Sequence, residues 1–418
     1  MHLTREEERM LSGEEGEGTR KAMELLVTLG DTFDAECMVP IKMAYLVKGP
    51  SVLRPGRLEQ WLKDLGDQGA RFRCPTYAGQ SLPTALLNDE FHRKMGAIVS
   101  PGGIAGHPRN AFVLPMFGQN IVADGTAVVT YMNTFIGARA NTLDPAGTYA
   151  SAICGRTPKF GYLLPENRRG KVLVNVTAKL ENETDWSALG YYVSRYLGTR
   201  YWDVPVFHGI NVEAATHDEF VTFCSALPAY GAVVHCLIVG LSPEARTLEE
   251  AFGGEKPKET ITVGQDELRW VYELFSPTSK KPDFIMIGGF GVDAPIETVH
   301  KIANMLKGKK VAQDIIVVVE LNPVVRAAVE ASGLAEILRA AGVKIGWQEV
   351  LRELAEKKGL KPEEFSFSVV NGAKRLGFNT LVFTDAKMCH YIGNQEVEAI
   401  LLPPEKCVEV ALKGSLEV

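Results

Sequence analysis

A turn built from small and polar residues is the first stretch whose residue types could do chemistry. Residues 137–141 (GARAN) follow an apolar, β-branched run from Ala127 to Tyr131 that predicts a strand, and small residues at 146–154 predict a helix. A guanidinium beside the backbone N–H groups of a helix start suits a carboxylate or phosphate. We therefore predict that Arg139 and Asn141 bind an anion. The alternative is an ordinary turn in which Arg139 pairs with a structural carboxylate.

Two further segments are candidates for ligand contact. Asn167 and Arg168 lie in a second polar turn, residues 165–169 (PENRR), from which Arg168 could complete a two-point clamp on the anion. Thr76 and Tyr77 follow a predicted strand, and ligands of open α/β sheets lie beyond the carboxyl ends of strands. An ordinary βα turn is the alternative for Thr76 and Tyr77.

Composition limits the class of protein. A chain of 418 residues is too long for one ordinary core and predicts two or three α/β lobes. Its net charge of −6 argues against nucleic acid as the main partner, and no apolar run approaches the roughly 20 residues that span a bilayer. The N-terminus is charged and lacks a signal-peptide core, and the seven cysteines form no CxxC pair. We therefore predict a cytoplasmic protein with reduced thiols and no membrane segment.

The order of elements predicts the fold class. From about Thr216 onward, helical and strand patterns alternate, which implies parallel sheets with right-handed crossovers. Thr4 followed by Glu7 predicts a capped helix at the N-terminus. The sequence thus predicts an α/β protein, with an anion-binding turn in an N-terminal part, residues 1–200, and alternating strands and helices in residues 201–418.

Several segments, in order, resemble one known family. The segments GARAN (137–141), GRTP (155–158) and PENRR (165–169) resemble the large subunit of aconitase X, a family of the aconitase superfamily of hydro-lyases. The opening residues 1–8, the segment 187–191, the segment 239–245 and the segment 385–391 resemble further parts of the same family, the last of them its SAK and HY residues. The resemblance therefore runs from end to end.

This resemblance implies a fold, a reaction and a partner. It implies an aconitase-like arrangement of two to three parallel-sheet lobes around a central cleft. It also implies an enzyme, a lyase that dehydrates a small hydroxy acid such as mevalonate 5-phosphate or cis-3-hydroxy-L-proline, together with a separate small swivelling-domain subunit. Lys387 and His390 are the candidates for proton transfer, because a lysine desolvated in a cleft can be tuned toward neutral pH. Thr76, Tyr77 and Tyr391 are candidates for substrate contact.

The sequence departs from the family at the iron–sulfur site. The three turns that supply the family's thiolates read 100–104 (SPGGI), 288–291 (GGFG) and 345–347 (IGW) here, and none contains cysteine. The eight histidines show no HxH or HExxH spacing that would predict another metal. We therefore predict no conventional [4Fe-4S] cluster and name no metal ligand.

Two other functions stay open at this point. Proton abstraction beside a carboxylate, as in a metal-independent isomerase or racemase, needs a base and an oxyanion stabiliser. A non-catalytic regulatory subunit would keep the anion pocket and lose the reaction.

Overall fold

A computed structural model describes most of the chain. The described residues are 1–46, 57–79, 87–99, 113–231, 233–289, 293–360, 372–393 and 396–417. The first predicted thiolate turn, residues 100–104, and positions 290 and 291 of the second lie outside these ranges.

The helices of the described residues are mostly short. They are α1 (Arg5–Ser12), α2 (Glu17–Thr32), α3 (Arg57–Asp67), α4 (Asp89–Met95), α5 (Thr126–Tyr131), α6 (Pro145–Cys154), α7 (Glu183–Leu197), α8 (His217–Ala226), α9 (Leu248–Phe252), α10 (Gln265–Leu274), α11 (Ile296–Leu306), α12 (Pro323–Ala331), α13 (Leu334–Ala341), α14 (Trp347–Lys357), α15 (Gly372–Arg375), α16 (Ala386–Gly393) and α17 (Pro404–Lys413).

The strands are shorter still. They are β1 (Met38–Pro40), β2 (Ala44–Leu46), β3 (Thr76–Ala78), β4 (Ile98–Val99), β5 (Val122–Ala123), β6 (Arg156–Pro158), β7 (Val172–Val176), β8 (Pro205–His208), β9 (Leu237–Ile238), β10 (Glu259–Val263), β11 (Phe284–Ile287), β12 (Ile316–Val319), β13 (Lys344–Ile345), β14 (Thr380–Phe383) and β15 (Glu398–Leu401).

The chain forms two compact units, each made of three separate stretches. Unit 1 contains residues 1–176, 200–212 and 233–262, and unit 2 contains residues 177–199, 213–232 and 263–418. The chain leaves and re-enters each unit, so each unit contains residues of both predicted parts, 1–200 and 201–418. The predicted division itself stays a prediction.

Unit 1 is built on two mainly parallel sheets. One sheet has the order β4-β3-β2-β5, with all three pairings parallel. The other has the order β10-β7-β8-β9, in which β7 pairs with β8 and β8 with β9 in parallel. Strands β1 and β6 form a separate antiparallel pair.

Unit 2 contains a five-stranded parallel sheet of order β13-β12-β11-β14-β15. Its strands β11 (FIMI) and β12 (IVVV) are continuous apolar runs, as expected inside a sheet that is covered by helices on both faces. The strand order reverses between β11 and β14, and doubly wound sheets bind ligands beyond the carboxyl ends of the strands at such a reversal. The predicted α/β class with parallel sheets is confirmed.

The stretch before the GARAN turn is a correction to the sequence prediction. Residues 127–131 lie in helix α5 and continue as a π-helix over Met132–Ile136, where a strand was predicted. The run is fully buried, and periodicity cannot distinguish a buried helix from a buried strand. Gly137 ends the π-helix with φ +70°, a left-handed conformation that favours glycine. It therefore follows a helix, not a strand end.

The other predicted strand end is also different. Residues 71–74 form no strand, whereas Thr76 and Tyr77 lie within β3 itself. The capping box at α1 is confirmed, since Thr4 Oγ1 accepts the backbone N–H of Glu7.

In the described ranges, no helix combines the length and the apolar character that a bilayer crossing requires.

Candidate active site

Arg168 is a buried arginine of unit 1 that makes several hydrogen bonds. It is 3% exposed, and its Nε donates to both carboxylate oxygens of Glu244 at 2.9 and 3.1 Å. One terminal nitrogen donates to the side-chain oxygen of Asn133 and the carbonyl oxygen of Tyr162, and the other to the Asn133 carbonyl oxygen and Glu244. These contacts occupy all five N–H groups, which favours a structural role over the predicted anion clamp.

Asn133 is the residue that connects this ion pair to the GARAN turn. Its side-chain oxygen accepts the backbone N–H of Ala140 at 3.0 Å, and its amide donates to the carbonyl oxygens of Ala140 and Val234. Because Asn133 lies in the π-helix, this unusual helix places an amide at the centre of the network, as π-bulges do at functional positions.

The two predicted asparagine ligands also bind backbone groups. Asn141 donates to the Phe160 carbonyl oxygen and accepts the Tyr162 N–H at 2.9 Å, while Asn167 donates to the Gly161 carbonyl oxygen. Both side chains therefore fix the 3-10 turn over Gly161–Leu163. Their predicted role in substrate binding stays a prediction.

Arg139 differs from the other residues of the turn. Its backbone pairs with the chain around Asn120, donating to the Gln119 carbonyl oxygen and accepting the Ile121 N–H. Its side chain is half-buried and makes no hydrogen bond or ion pair with the described residues. Helix α6 begins six residues later and is capped by Asp144. The Arg139 guanidinium is thus available to an anion. The N-terminus of α6, however, is already capped by the Asp144 carboxylate.

Thr76 and Tyr77 lie inside the sheet of unit 1. Thr76 is 1% exposed and donates to the carbonyl oxygen of Cys74, and the ring of Tyr77 stacks on Tyr45 with centroids 5.6 Å apart. These contacts are those of core residues, and the predicted substrate contact of Thr76 and Tyr77 stays a prediction.

Unit 2 contains the group best suited to proton transfer. Lys387 lies in the first turn of α16, is 9% exposed, and donates from Nζ to the Ser225 hydroxyl at 3.3 Å. Burial lowers the pKa of this amine, because desolvation disfavours the ammonium, and the nearby Asp385 opposes the shift. A lysine in this setting can serve as a base nearer to neutral pH than an exposed one.

His390 and Tyr391 follow on the same helix. His390 Nδ1 lies 3.1 Å from the Tyr191 hydroxyl, and its Nε2 makes no hydrogen bond with the described residues. Burial, followed by the Arg195 charge, lowers the pKa of His390. Tyr391 is 43% exposed, and Lys387 Nζ lies 5.9 Å from its ring centroid. Three predicted residues are therefore brought together on α16.

Sequence reasoning missed three side chains that hold these groups. Asp385 and Ser187 are buried beside Lys387, and Glu244 pairs with Arg168. Each lies in a segment of family resemblance, but nothing in the sequence indicated its contact. Asn133 had no signal of its own, because its segment was predicted as strand and turn.

Within either unit, the described residues show no group of donors that would hold an iron–sulfur cluster. All seven cysteines are described, and in neither unit do three described His, Cys, Asp or Glu side chains converge as a metal site. Burial raises the pKa of Cys74 to about 11 and raises that of Cys389, which disfavours their thiolates. The described turns at Gly288 and Gly346 have positive φ and no ligating side chain. The predicted absence of a conventional cluster stays a prediction.

Comparisons with known proteins identify the family. Residues 1–166 match the aconitase X first domain and residues 170–273 the aconitase X second domain. The chain is 33% identical over 393 residues to a phosphomevalonate dehydratase large subunit of Thermococcus kodakarensis, which covers 88% of this chain and 97% of that protein. A cis-3-hydroxy-L-proline dehydratase of Pseudomonas aeruginosa is 26% identical over 432 residues, covering 97% and 69% of the two chains.

A solved structure agrees with the sequence comparisons. The crystal structure of Thermococcus kodakaraensis aconitase X (holo-form) superposes with a TM-score of 0.79 at 30% identity, covering 98% of this chain and 100% of that one. The sequence match and the fold match thus extend over nearly the same length. The chain therefore belongs to the aconitase X family and corresponds to its large subunit.

Proposed function

We propose that this chain is the large subunit of a dehydratase that removes water from a small, anionic hydroxy acid and works with a separate small subunit. The similarity to dehydratase large subunits over most of the chain supports the reaction class and the partner. Lys387 is the observation that carries the proposal, because a buried amine with a lowered pKa is the base that such a reaction needs.

The chemistry assigned to this chain is proton removal and anion binding. The Lys387 amine takes a proton from the carbon next to the substrate carboxylate and passes it to the leaving hydroxyl group, which departs as water while a carbon–carbon double bond forms. His390 lies one turn further along α16 and offers Nε2 to the substrate. Arg139 contributes a cation in unit 1 for a carboxylate or phosphate.

Among possible substrates, we favour mevalonate 5-phosphate over cis-3-hydroxy-L-proline. The chain spans 97% of the phosphomevalonate dehydratase large subunit of Thermococcus kodakarensis but 69% of the Pseudomonas protein. A phosphate also gives Arg139 a strong anionic partner.

The test is an assay of the complex. The chain is co-produced with the small subunit from the same genome and incubated in D₂O with each of the two substrates, and the products are followed by NMR. Loss of water supports the proposal. Deuterium incorporation without loss of water identifies the isomerase or racemase alternative, and ligand binding without either reaction identifies the regulatory subunit.

Replacement of Arg139 with lysine tests the anion site. Lysine keeps the charge but loses the planar fork, so affinity for mevalonate 5-phosphate should fall by about 1–3 kcal/mol, the range of a charge-assisted hydrogen bond. Isothermal calorimetry measures the affinity, and thermal unfolding should be unchanged, since the side chain makes no ion pair with the described residues.

The matched control for this variant is Arg169→Lys, at an exposed arginine of the same unit that lies 3.6 Å from Glu255. It should leave the affinity unchanged. A folded Arg139→Lys protein with normal affinity would remove Arg139 from the site.

A further inference from the structure

One hydroxyl group of α7 fixes the beginning of α16. Ser187 Oγ donates to Asp385 Oδ1 at 2.6 Å and accepts the backbone N–H of Ala386 at 2.8 Å. Ser187 is fully buried and Asp385 is 1% exposed, so neither contact competes with water. Asp385 Oδ1 also accepts the backbone N–H of Lys387 at 3.1 Å. The carboxyl group and the first turn of α16 are therefore held together.

The second oxygen of the Asp385 carboxyl group has no hydrogen-bond partner among the described residues. Asp385 Oδ2 is buried and makes no hydrogen bond, and it points toward the Gly288–Gly289 turn, where a Cβ on Gly289 would lie 3.5 Å away. Burial raises the pKa of Asp385, while Ser187 and then Lys387 lower it. Asp385 in turn favours the ammonium form of Lys387 against the effect of burial. The carboxyl group and the amine are thus electrostatically coupled.

The other groups around α16 do not take the place of Asp385 in stabilising the Lys387 ammonium. Helix α8 contributes the neutral Ser225 hydroxyl, and Tyr391 of α16 contributes a ring. Of the charged groups on other elements packed against α16, Arg195 of α7 acts on His390, and the Glu398 carboxylate of β15 is bound by Thr278 and Ser279. Cys389, next to Asp385, has a raised pKa and is neutral. Among the described residues, Asp385 is the charge that acts on the amine.

We propose that Ser187 and Asp385 are positioning residues for Lys387: Ser187 orients the Asp385 carboxyl group, and this carboxyl group sets the fraction of Lys387 amine that carries a proton at neutral pH. The inference rests on the proposed function of Lys387 as the base. A base at this position must be neutral to accept the substrate proton and must then hold that proton as a buried ammonium. An adjacent carboxylate stabilises this second state.

The test titrates Lys387 directly in the full chain. The protein is produced with lysine labelled with ¹³C at Cε, and the Lys387 signal is assigned by its absence in Lys387→Met. In Asp385→Asn the titration midpoint should fall, by up to about 1–3 pH units, because the variant removes an opposite charge that favours the ammonium form. Ser187→Ala should lower it in the same direction but by less, because a carboxylate that loses a donor is more readily protonated.

The control is Ser194→Ala, which removes another buried hydroxyl from the same helix. Ser194 accepts the backbone N–H of Tyr230 and does not contact Asp385, so the Lys387 midpoint should not move. An unchanged midpoint in a folded Asp385→Asn protein, or equal shifts in Ser187→Ala and Ser194→Ala, would overturn the inference. If Asp385→Asn does not fold, as judged by circular dichroism, the two serine variants decide.

This experiment separates the inference from the proposed reaction. The titration needs neither substrate nor small subunit, so an inactive wild-type complex would refute the dehydratase proposal and leave the titration result standing. In an active complex, the acidic limb of the pH–rate profile should move with the Lys387 midpoint in both variants. An acidic limb that stays fixed while the midpoint shifts would contradict the proposed link between the carboxyl group and the base.

Discussion

Replacement of Arg168 with alanine is expected to lower the free energy of unfolding by about 3–5 kcal/mol, the cost of breaking a buried ion pair by removing one partner. The loss should be large because the guanidinium also donates to the side-chain oxygen and the carbonyl oxygen of Asn133, and these hydrogen bonds in the interior of unit 1 would be lost. Urea unfolding monitored by circular dichroism measures the difference.

The adjacent arginine provides the control. Arg169 is half-exposed and lies 3.6 Å from the exposed Glu255, so Arg169→Ala should change stability by no more than about 0.5 kcal/mol. An Arg168→Ala protein that keeps its stability but loses affinity for mevalonate 5-phosphate would instead support the anion clamp that the sequence predicted for Arg168.

The second large effect is expected at Lys387. Lys387→Met keeps the length and apolar stem of the side chain but removes the amine, so kcat of the complex should fall by roughly 10²–10⁴, the contribution of a positioned base. The fold should survive, because no buried hydrogen bond other than the one to Ser225 is lost. Initial rates of water loss from mevalonate 5-phosphate measure the effect.

The stability of the same variant has a defined pH dependence. The pKa of Lys387 is lowered in the folded protein, so the buried ammonium destabilises the fold below that pKa. Wild-type stability should therefore gain as pH rises through the folded pKa toward the ordinary lysine value. Lys387→Met lacks this gain, whereas Lys374→Met, at a half-exposed lysine paired with Glu396, should retain it. Equal pH dependence in wild type and Lys387→Met would contradict the lowered pKa.

The sequence predicted those parts of the fold that depend on local signals. The Thr4 capping box, the helix over residues 146–154 and the alternation of strands and helices in the C-terminal half all appear in the structure. Each reflects residues that are close together in sequence, such as a side chain that caps a helix three positions later. The grouping of Lys387, His390 and Tyr391 was predictable for the same reason, because they share one helix.

What could not be predicted depends on contacts between distant residues. Glu244 lies 76 positions after Arg168, and Asp385 lies 198 positions after Ser187. No local pattern distinguishes an arginine that binds an internal carboxylate from one that binds a ligand. The run at 127–131 was misassigned because it is buried on all sides, where helix and strand give the same apolar pattern.

The interleaving of the two units has a consequence for synthesis on the ribosome. When residue 176 has been made, β7 is present, but β8 and β9, which extend its sheet, are encoded after residue 200. Unit 1 is incomplete until Thr262 has left the exit tunnel, by which point two of the three stretches of unit 2 have also been released. The nascent chain must therefore keep the exposed edge of β7 from mispairing over this interval. A pause in synthesis while residues 177–204 are leaving the exit tunnel would prolong that exposure, whereas a pause after Thr262 has left the tunnel would not.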